Sequence, residues 1–388
     1  MRLVYMDHSA TTPVRPEVVE AMQPYFTERC GNASSVHGPG REARRAVEDA
    51  RRSIALLLGA APEEIVFTSG GTESDSLALR GAAAAHGTGG HVVTSAVEHK
   101  AVLVTCEALE REGYEVTRVP VDSFGLVDPE ELRRALRPQT VLVSIMLANN
   151  EVGTVEPVKE LAALAAETGV LFHTDAVQAV GKVPVDVAHL GVDLLSLSGH
   201  KFYGPKGVGA LYVRSGTRIE PVQVGGHHEG GLRAGTENVP GIVGMARALE
   251  LACEEMPREG PRLARLRDRL QRGLTEQVPA ARLNGHPEQR LPHLLNLSFA
   301  NAEGESMLLS LDAVGVCASS GSACTSGTLD PSHVLTAMGV PPEQAHGSLR
   351  FSLGRDNTEG DVDYVLERLP AIIGRLRQMS PLTNGALA

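Results

Sequence analysis

Six short, mostly apolar runs, at residues 65–69, 91–95, 141–147, 170–176, 192–197 and 209–213, recur along the first half of the chain. Most are separated by segments with helical apolar spacing. A run that is apolar at successive positions has the pattern of a strand buried on both faces. Such strands alternating with helices predict a largely parallel sheet covered by helices on both sides, an α/β architecture. The first five runs each end in small or polar residues: Gly70-Gly71-Thr72, Val97-Glu98-His99, Ala148-Asn149-Asn150, Asp175 and Ser198-Gly199-His200-Lys201. Open sheets of this class bind ligands beyond the carboxyl ends of their strands, so the chemistry is expected there.

A chain of 388 residues exceeds one ordinary core, and two domains are expected. The helical pattern over 249–255 is broken by Pro257-Arg258-Glu259-Gly260-Pro261, which marks a domain boundary before an Arg-rich amphipathic helix over 263–274. Apolar stretches at 294–299, 305–311 and 314–317 then suggest a smaller α+β unit. Earlier helices are predicted over 17–26, 40–58 with Gly59 as a stop, 101–112, a segment opened by Asp128-Pro129-Glu130-Glu131, and 158–167. The short segment Asp7-His8-Ser9-Ala10-Thr11-Thr12 is expected to lie against a distant part of the chain.

The balance of 36 basic against 47 acidic residues, without a basic block, argues against a nucleic-acid ligand. Nothing resembles a signal peptide or a membrane span, so a cytoplasmic protein is expected. The five cysteines lack paired CxxC spacing and read as free thiols, with neither a disulfide frame nor a zinc site.

Each polar cluster admits a chemical and a structural reading. Lys201 next to His200 at a strand end can form a Schiff base, or can be a solvated lysine in a turn. The glycines before Thr72 expose backbone N–H groups at a helix start, which makes an anion site or an ordinary βα turn. His99 can stack on a planar cofactor or shuttle a proton, or can be a surface histidine. Asp175 needs a cationic partner if buried, either an arginine or a protonated ring nitrogen. In the glycine-rich stretch 225–238, His227-His228-Glu229 lacks a further ligand at metal spacing, so a phosphate- or interface-contacting loop is expected and no metal. Arg350 suits bidentate carboxylate binding, or a surface salt bridge. Finally, Ser319-Ser320-Gly321-Ser322-Ala323-Cys324-Thr325-Ser326-Gly327-Thr328 cannot build a core, and it predicts a mobile loop carrying a thiol in water.

Thr72, His99, Asn150, Asp175 with Gln178, Ser198-Gly199-His200-Lys201, Thr236 and Arg350 together resemble the fold-type I pyridoxal 5′-phosphate enzymes of the class V aminotransferase family. With the Cys324 loop, the chain resembles the cysteine desulfurases of the NifS/IscS type over essentially its whole length. The resemblance implies a fold-type I transferase with a large domain over 15–257, mainly parallel sheet flanked by helices. A smaller α+β domain would comprise 1–14 and 258–388 and carry the cysteine loop, about 319–328.

The resemblance also implies roles. Lys201 would hold the cofactor and then serve as acid and base. Asp175 would pair with the pyridinium nitrogen, His99 would stack on the ring, Gln178 would bond the ring hydroxyl, and Asn150 would orient ring and substrate. Gly71, Thr72, Ser198 and His200 would bind the phosphate, with Thr236 reaching the cofactor of a second subunit in a homodimer. Arg350 would clamp the substrate carboxylate. Cys324 would take sulfur from L-cysteine as a persulfide, releasing L-alanine, and pass it to an acceptor such as an iron–sulfur scaffold or a tRNA-thiolation enzyme. The alternatives are a selenocysteine lyase or another class V enzyme. The longer bacterial members extend past the equivalent of Ala388, which leaves the acceptor open.

Overall fold

The computed structural model of the chain describes residues 2–320 and 331–379. Its strands are β1 (Val4–Tyr5), β2 (Ile65–Thr68), β3 (His91–Ser95), β4 (Glu115–Val119), β5 (Thr140–Ser144), β6 (Leu171–Asp175), β7 (Leu194–Ser198), β8 (Gly209–Val213), β9 (Ala281–Asn284), β10 (Leu294–Phe299), β11 (Val316–Cys317) and β12 (Ser348–Ser352). Among the described residues, β2 to β8 form one sheet in the order β2-β8-β7-β6-β5-β3-β4. β4, β3, β5, β6 and β7 run parallel, and β8 is antiparallel to both its neighbours. Two antiparallel steps leave β2 pointing the same way as β7. The carboxyl ends of β2, β3, β5, β6 and β7 therefore share one edge.

Successive strand residues feed opposite cores. Phe67, Val143, Phe172 and Leu195 pack with the helices Gly38–Leu58 and Val158–Glu167 on one face. Val66, Leu142, Leu194 and Leu211 pack with Gly71–His86 and Lys100–Arg111 on the other. This double covering is why the strands read as continuous apolar runs. Helix ends follow local chemistry. His37 caps Gly38–Leu58 by accepting from the Gly40 N–H, and Gly59 closes it at φ 71°, a left-handed conformation that favours glycine. Among the described residues, no helix is long and apolar enough to cross a membrane.

The expected helix break at Pro257 to Pro261 does not occur. One helix runs Val239–Gln277 with both prolines inside it. Its first half, including Ile242, Met245 and Leu249, joins the core under the main sheet. Its second half, including Leu263, Leu266, Leu270 and Leu274, joins a separate core with β10, β12 and the helices Gly304–Asp312 and Glu359–Met379. Burial on both sides of the proline segment holds the helix together where propensity alone would end it. The β9-β10-β12 sheet carries this second core. The chain's start is threaded into it, with β1 parallel to β11 and the Met6 carbonyl accepting from the Ser352 N–H.

Gly209 faces Thr68 on one side and Ser198 on the other, next to the turn that begins at Gly70. A Cβ at Gly209 would stand 2.6 Å from the Leu197 carbonyl oxygen and 2.7 Å from Gly70 Cα. Neither is a flexible side-chain atom that can swing away. Gly209→Ala should therefore destabilise the protein by about 1–3 kcal/mol. Chemical denaturation measures this, and an unchanged midpoint would contradict the close approach.

Candidate active site

The shared carboxyl edge opens into a cavity of about 340 Å³. Gly71, Thr72, His99, Asn150, Asp175, Gln178, Ser198, His200, Lys201 and Arg350 all line it. Ten residues expected from the sequence to act together are thus neighbours, although they span some 280 positions of chain.

One side of the cavity is built for an anion. Gly70 adopts φ 153° and ψ −177°, which glycine tolerates, and it turns the chain from β2 into the helix Gly71–His86. The Ser74 N–H reaches back to the Gly70 carbonyl, leaving the N–H groups of the first helical turn without intrahelical acceptors. Gly71 must stay small, because a Cβ there would meet Val177 Cγ2 at 2.8 Å. Across the turn, β7 delivers Ser198, and the short turn Gly199–Lys201 carries His200. His200 Nδ1 lies 3.1 Å from Thr11 Oγ1. Burial, with Lys201 and Lys206 acting in the same direction, pulls the His200 ring down to about 4, so it is neutral at pH 7.

Lys201 Nζ donates to the Ser9 carbonyl at 2.6 Å and the Ala10 carbonyl at 2.8 Å. Gln178 Nε2 donates to the same Ser9 oxygen at 3.0 Å. The N-terminal segment is thus a wall of the cavity, held there by side chains from two strand ends.

Asp175 forms part of the floor at the end of β6 and is buried. One carboxylate oxygen accepts from the Val177 N–H at 2.9 Å. Burial pushes its pKa up, while His99, the Val177 N–H and Lys201 pull it down. The cations facing it are thus a histidine and a lysine. His99 is half-buried and caps the helix Lys100–Arg111 by accepting from the Ala101 N–H. Its pKa is lowered, mainly by burial, with Lys201 and Lys100 adding to that effect and Asp175 opposing it.

Arg350 enters from β12 in the second core and is buried, so it is not a surface salt bridge. Its guanidinium donates to the Asn150 carbonyl at 2.9 Å and to Asp7 Oδ1 at 2.9 Å. Arg350 Nε and Asn150 Oδ1 remain buried without a hydrogen-bond partner. Two unsatisfied polar atoms on the wall of a cavity are what a polar ligand would complete.

Sequence reasoning overlooked four lining residues: Ser9, Ala10, Asp75 and Glu151. Asp75 lies four residues after Gly71, one helical turn, so helix periodicity could have placed it beside the anion turn. Glu151 is pushed up to about 7 by burial, against the pull of the Ser332 hydroxyl, Arg350 and Lys100. Nothing local signals that position.

Two expected residues stand elsewhere. Thr236 is exposed on the glycine-rich loop and does not line the cavity. Cys324, with most of the loop expected over 319–328, lies outside the described residues. In the neighbouring His227-His228-Glu229 stretch, the Glu229 carboxylate is committed to Arg51 and the Phe67 N–H.

The model of the family described as aminotransferase class-V matches residues 4–365. A protein named cysteine desulfurase IscS from Methanosarcina thermophila is 57% identical over 383 residues, covering 98% of this chain and 95% of that protein. A solved structure titled NifS-like protein superposes with a TM-score of 0.91 at 42% identity, covering 96% of this chain and all of that one. Another, titled SspA in complex with cysteine, has a TM-score of 0.81 at 38% identity, covering 90% of this chain and 98% of that one. With this fold, these relatives and a family match over most of its length, the chain belongs to the aminotransferase class-V family.

Proposed function

We propose that the protein is a pyridoxal 5′-phosphate-dependent cysteine desulfurase, a homodimer acting in the cytoplasm. The observation that carries this reading is the convergence of Lys201, Asp175 and Arg350 on one cavity whose far side is a helix N-terminus. An amine, a buried carboxylate, a guanidinium and an anion cradle match the amine-reactive aldehyde, ring nitrogen and phosphate of the cofactor and the carboxylate of an amino acid. The unsatisfied Asn150 Oδ1 and Arg350 Nε fit the same occupants. The relatives named cysteine desulfurase support the choice of L-cysteine.

When bound, pyridoxal 5′-phosphate supplies covalent capture of an amine and an electron-accepting ring. The chain's own residues do the rest. The first-turn N–H groups at Gly71 and Thr72, with Ser198 and His200, hold the phosphate. Asp175 keeps the ring nitrogen protonated, His99 stacks on the ring, and Gln178 and Asn150 orient it. Lys201 first anchors the cofactor and then moves protons at the substrate carbons. Arg350 fixes the substrate carboxylate.

The Cys324 thiolate attacks the sulfur of the bound cysteine. The carbon–sulfur bond breaks, a sulfur–sulfur bond forms on Cys324, and the carbon left behind takes a proton and departs as L-alanine. The persulfide then passes to an acceptor protein, such as an iron–sulfur scaffold or a tRNA-thiolation enzyme. In this arrangement the large unit, 15–257, supplies the cofactor groups. The small unit, 1–14 and 258–388, supplies Arg350 and Cys324. Thr236, exposed on its loop, is left to reach a second subunit's phosphate.

The purified protein should show a visible absorbance band that is missing in Lys201→Ala. Adding L-cysteine should shift the band and yield alanine and reductant-released sulfide together. Cys324→Ser should keep the band and lose alanine formation by about 100-fold or more. A colourless wild-type protein would defeat the cofactor assignment, and full turnover by Cys324→Ser would defeat the persulfide route. Arg350→Lys cannot reproduce the planar fork, and KM for L-cysteine should rise about tenfold, with a smaller change in kcat. An unchanged KM would remove Arg350 from substrate binding.

A further inference from the structure

We propose that Asp75 is a positioning residue for Asp175: the two buried carboxyls share one proton, Asp75 holds it, and Asp175 is left as the single anion facing a bound cationic ring. Asp75 projects from the first turns of the helix Gly71–His86 into the cavity floor. It is 1% exposed, and its Oδ1 has no hydrogen-bond partner. Polar atoms of Asp75, His99 and Asp175 all lie within 4.8 Å of one another. Two carboxylates so close in a dehydrated floor repel strongly, and the pair retains a proton well above the ordinary carboxyl range.

The surroundings decide which one keeps it. From β6, Asp75 faces Asp175 and His173, whose Nε2 is 3.6 Å from Asp75 Oδ1. His173 is held down at about 3 by burial, so it is neutral and no counter-ion. From β7 it faces the Ser196 hydroxyl, and from the segment before Lys100–Arg111 it faces Glu98, whose carboxyl is also raised by burial. Asp175, by contrast, has the Val177 N–H at 2.9 Å and the positive pull of His99 and Lys201. Donors and cations gather on Asp175 and carboxyl neighbours on Asp75. Both groups are displaced upward, Asp75 mainly by burial and then by Asp175.

The sign of the linkage follows. Asp75 is more acidic in the unfolded chain, where it titrates near about 4. The stability it contributes is complete below that pH and is lost as pH rises toward its folded value. Asp75→Asn, an isostere of the protonated acid, cannot ionise and escapes that loss.

The apoprotein tests this by thermal unfolding at pH 5 and pH 8. The melting temperature of Asp75→Asn relative to wild type should rise between the two pH values by about 2 °C or more. Asp75→Ser, which also cannot ionise, should show the same pH-dependent gap whatever its absolute stability. A gap independent of pH in both variants would mean a purely structural role and overturn the proposal.

The further step, that Asp175 is the anion, rests on the cofactor reading and is measured by titrating pyridoxal 5′-phosphate into each apoprotein. Asp175→Asn should weaken binding at least about tenfold more than Asp75→Asn. The reverse order would make Asp75 the anion and overturn the assignment. If wild type takes up no pyridoxal 5′-phosphate, the functional reading fails, while the pH-dependent gap still decides whether the pair shares a proton.

Discussion

Burial of charge at the carboxyl edge of the sheet is the constraint on which the rest depends. Parallel strands bring Asp175, Lys201 and the backbone around Asn150 to one place, where water is largely excluded. Charges there must be neutralised, paired or hydrogen-bonded. The partners come from far along the chain: Arg350 crosses from the second core to Asp7 and the Asn150 carbonyl. The Ser9 carbonyl receives both Lys201 and Gln178. The pairing of the two cores and the placement of the N-terminal segment are therefore part of the same electrostatic solution.

Much of this was legible in the sequence, for identifiable reasons. Strands buried on both faces have no polar face to confuse the pattern, so β2, β3, β7, β8 and β10 stand close to where their apolar runs place them. The cluster Ser198-Gly199-His200-Lys201 was conspicuous because cationic residues interrupt an apolar context. What escaped detection was non-local. β4, with its Glu115 and Arg118, lies at the sheet edge with mostly exposed or half-buried residues and lacks an apolar run. Asp75 and Glu151 look like ordinary helix and loop acids until tertiary packing buries them. The continuity of Val239–Gln277 across two prolines likewise depends on burial at both ends, which no local window contains.

Neighbouring acids at the site differ in ways that composition does not reveal. Glu98 accepts from the Ser95 hydroxyl and the Met146 N–H, Glu151 accepts from the Ser332 hydroxyl, and Asp175 accepts from the Val177 N–H. Each has a donor set suited to a different charge state at neutral pH. Asp75 Oδ1 has none. Chemical identity is shared while environment assigns the task, and the distribution of backbone donors decides which acid stays charged.

The 39 residues of the helix Val239–Gln277 give it a length of about 58 Å, longer than either core it crosses. A rod anchored in two bodies transmits torque between them. Tilting the second core, and Arg350 with it, therefore loads the helix that also packs beneath the catalytic sheet. Pro257 and Pro261 each remove an amide hydrogen from the ladder between the two anchored halves, and that middle turn is where the rod is most compliant. The beam's stiffness is lowest between its two supports, so bending there disturbs the side chains at either end least.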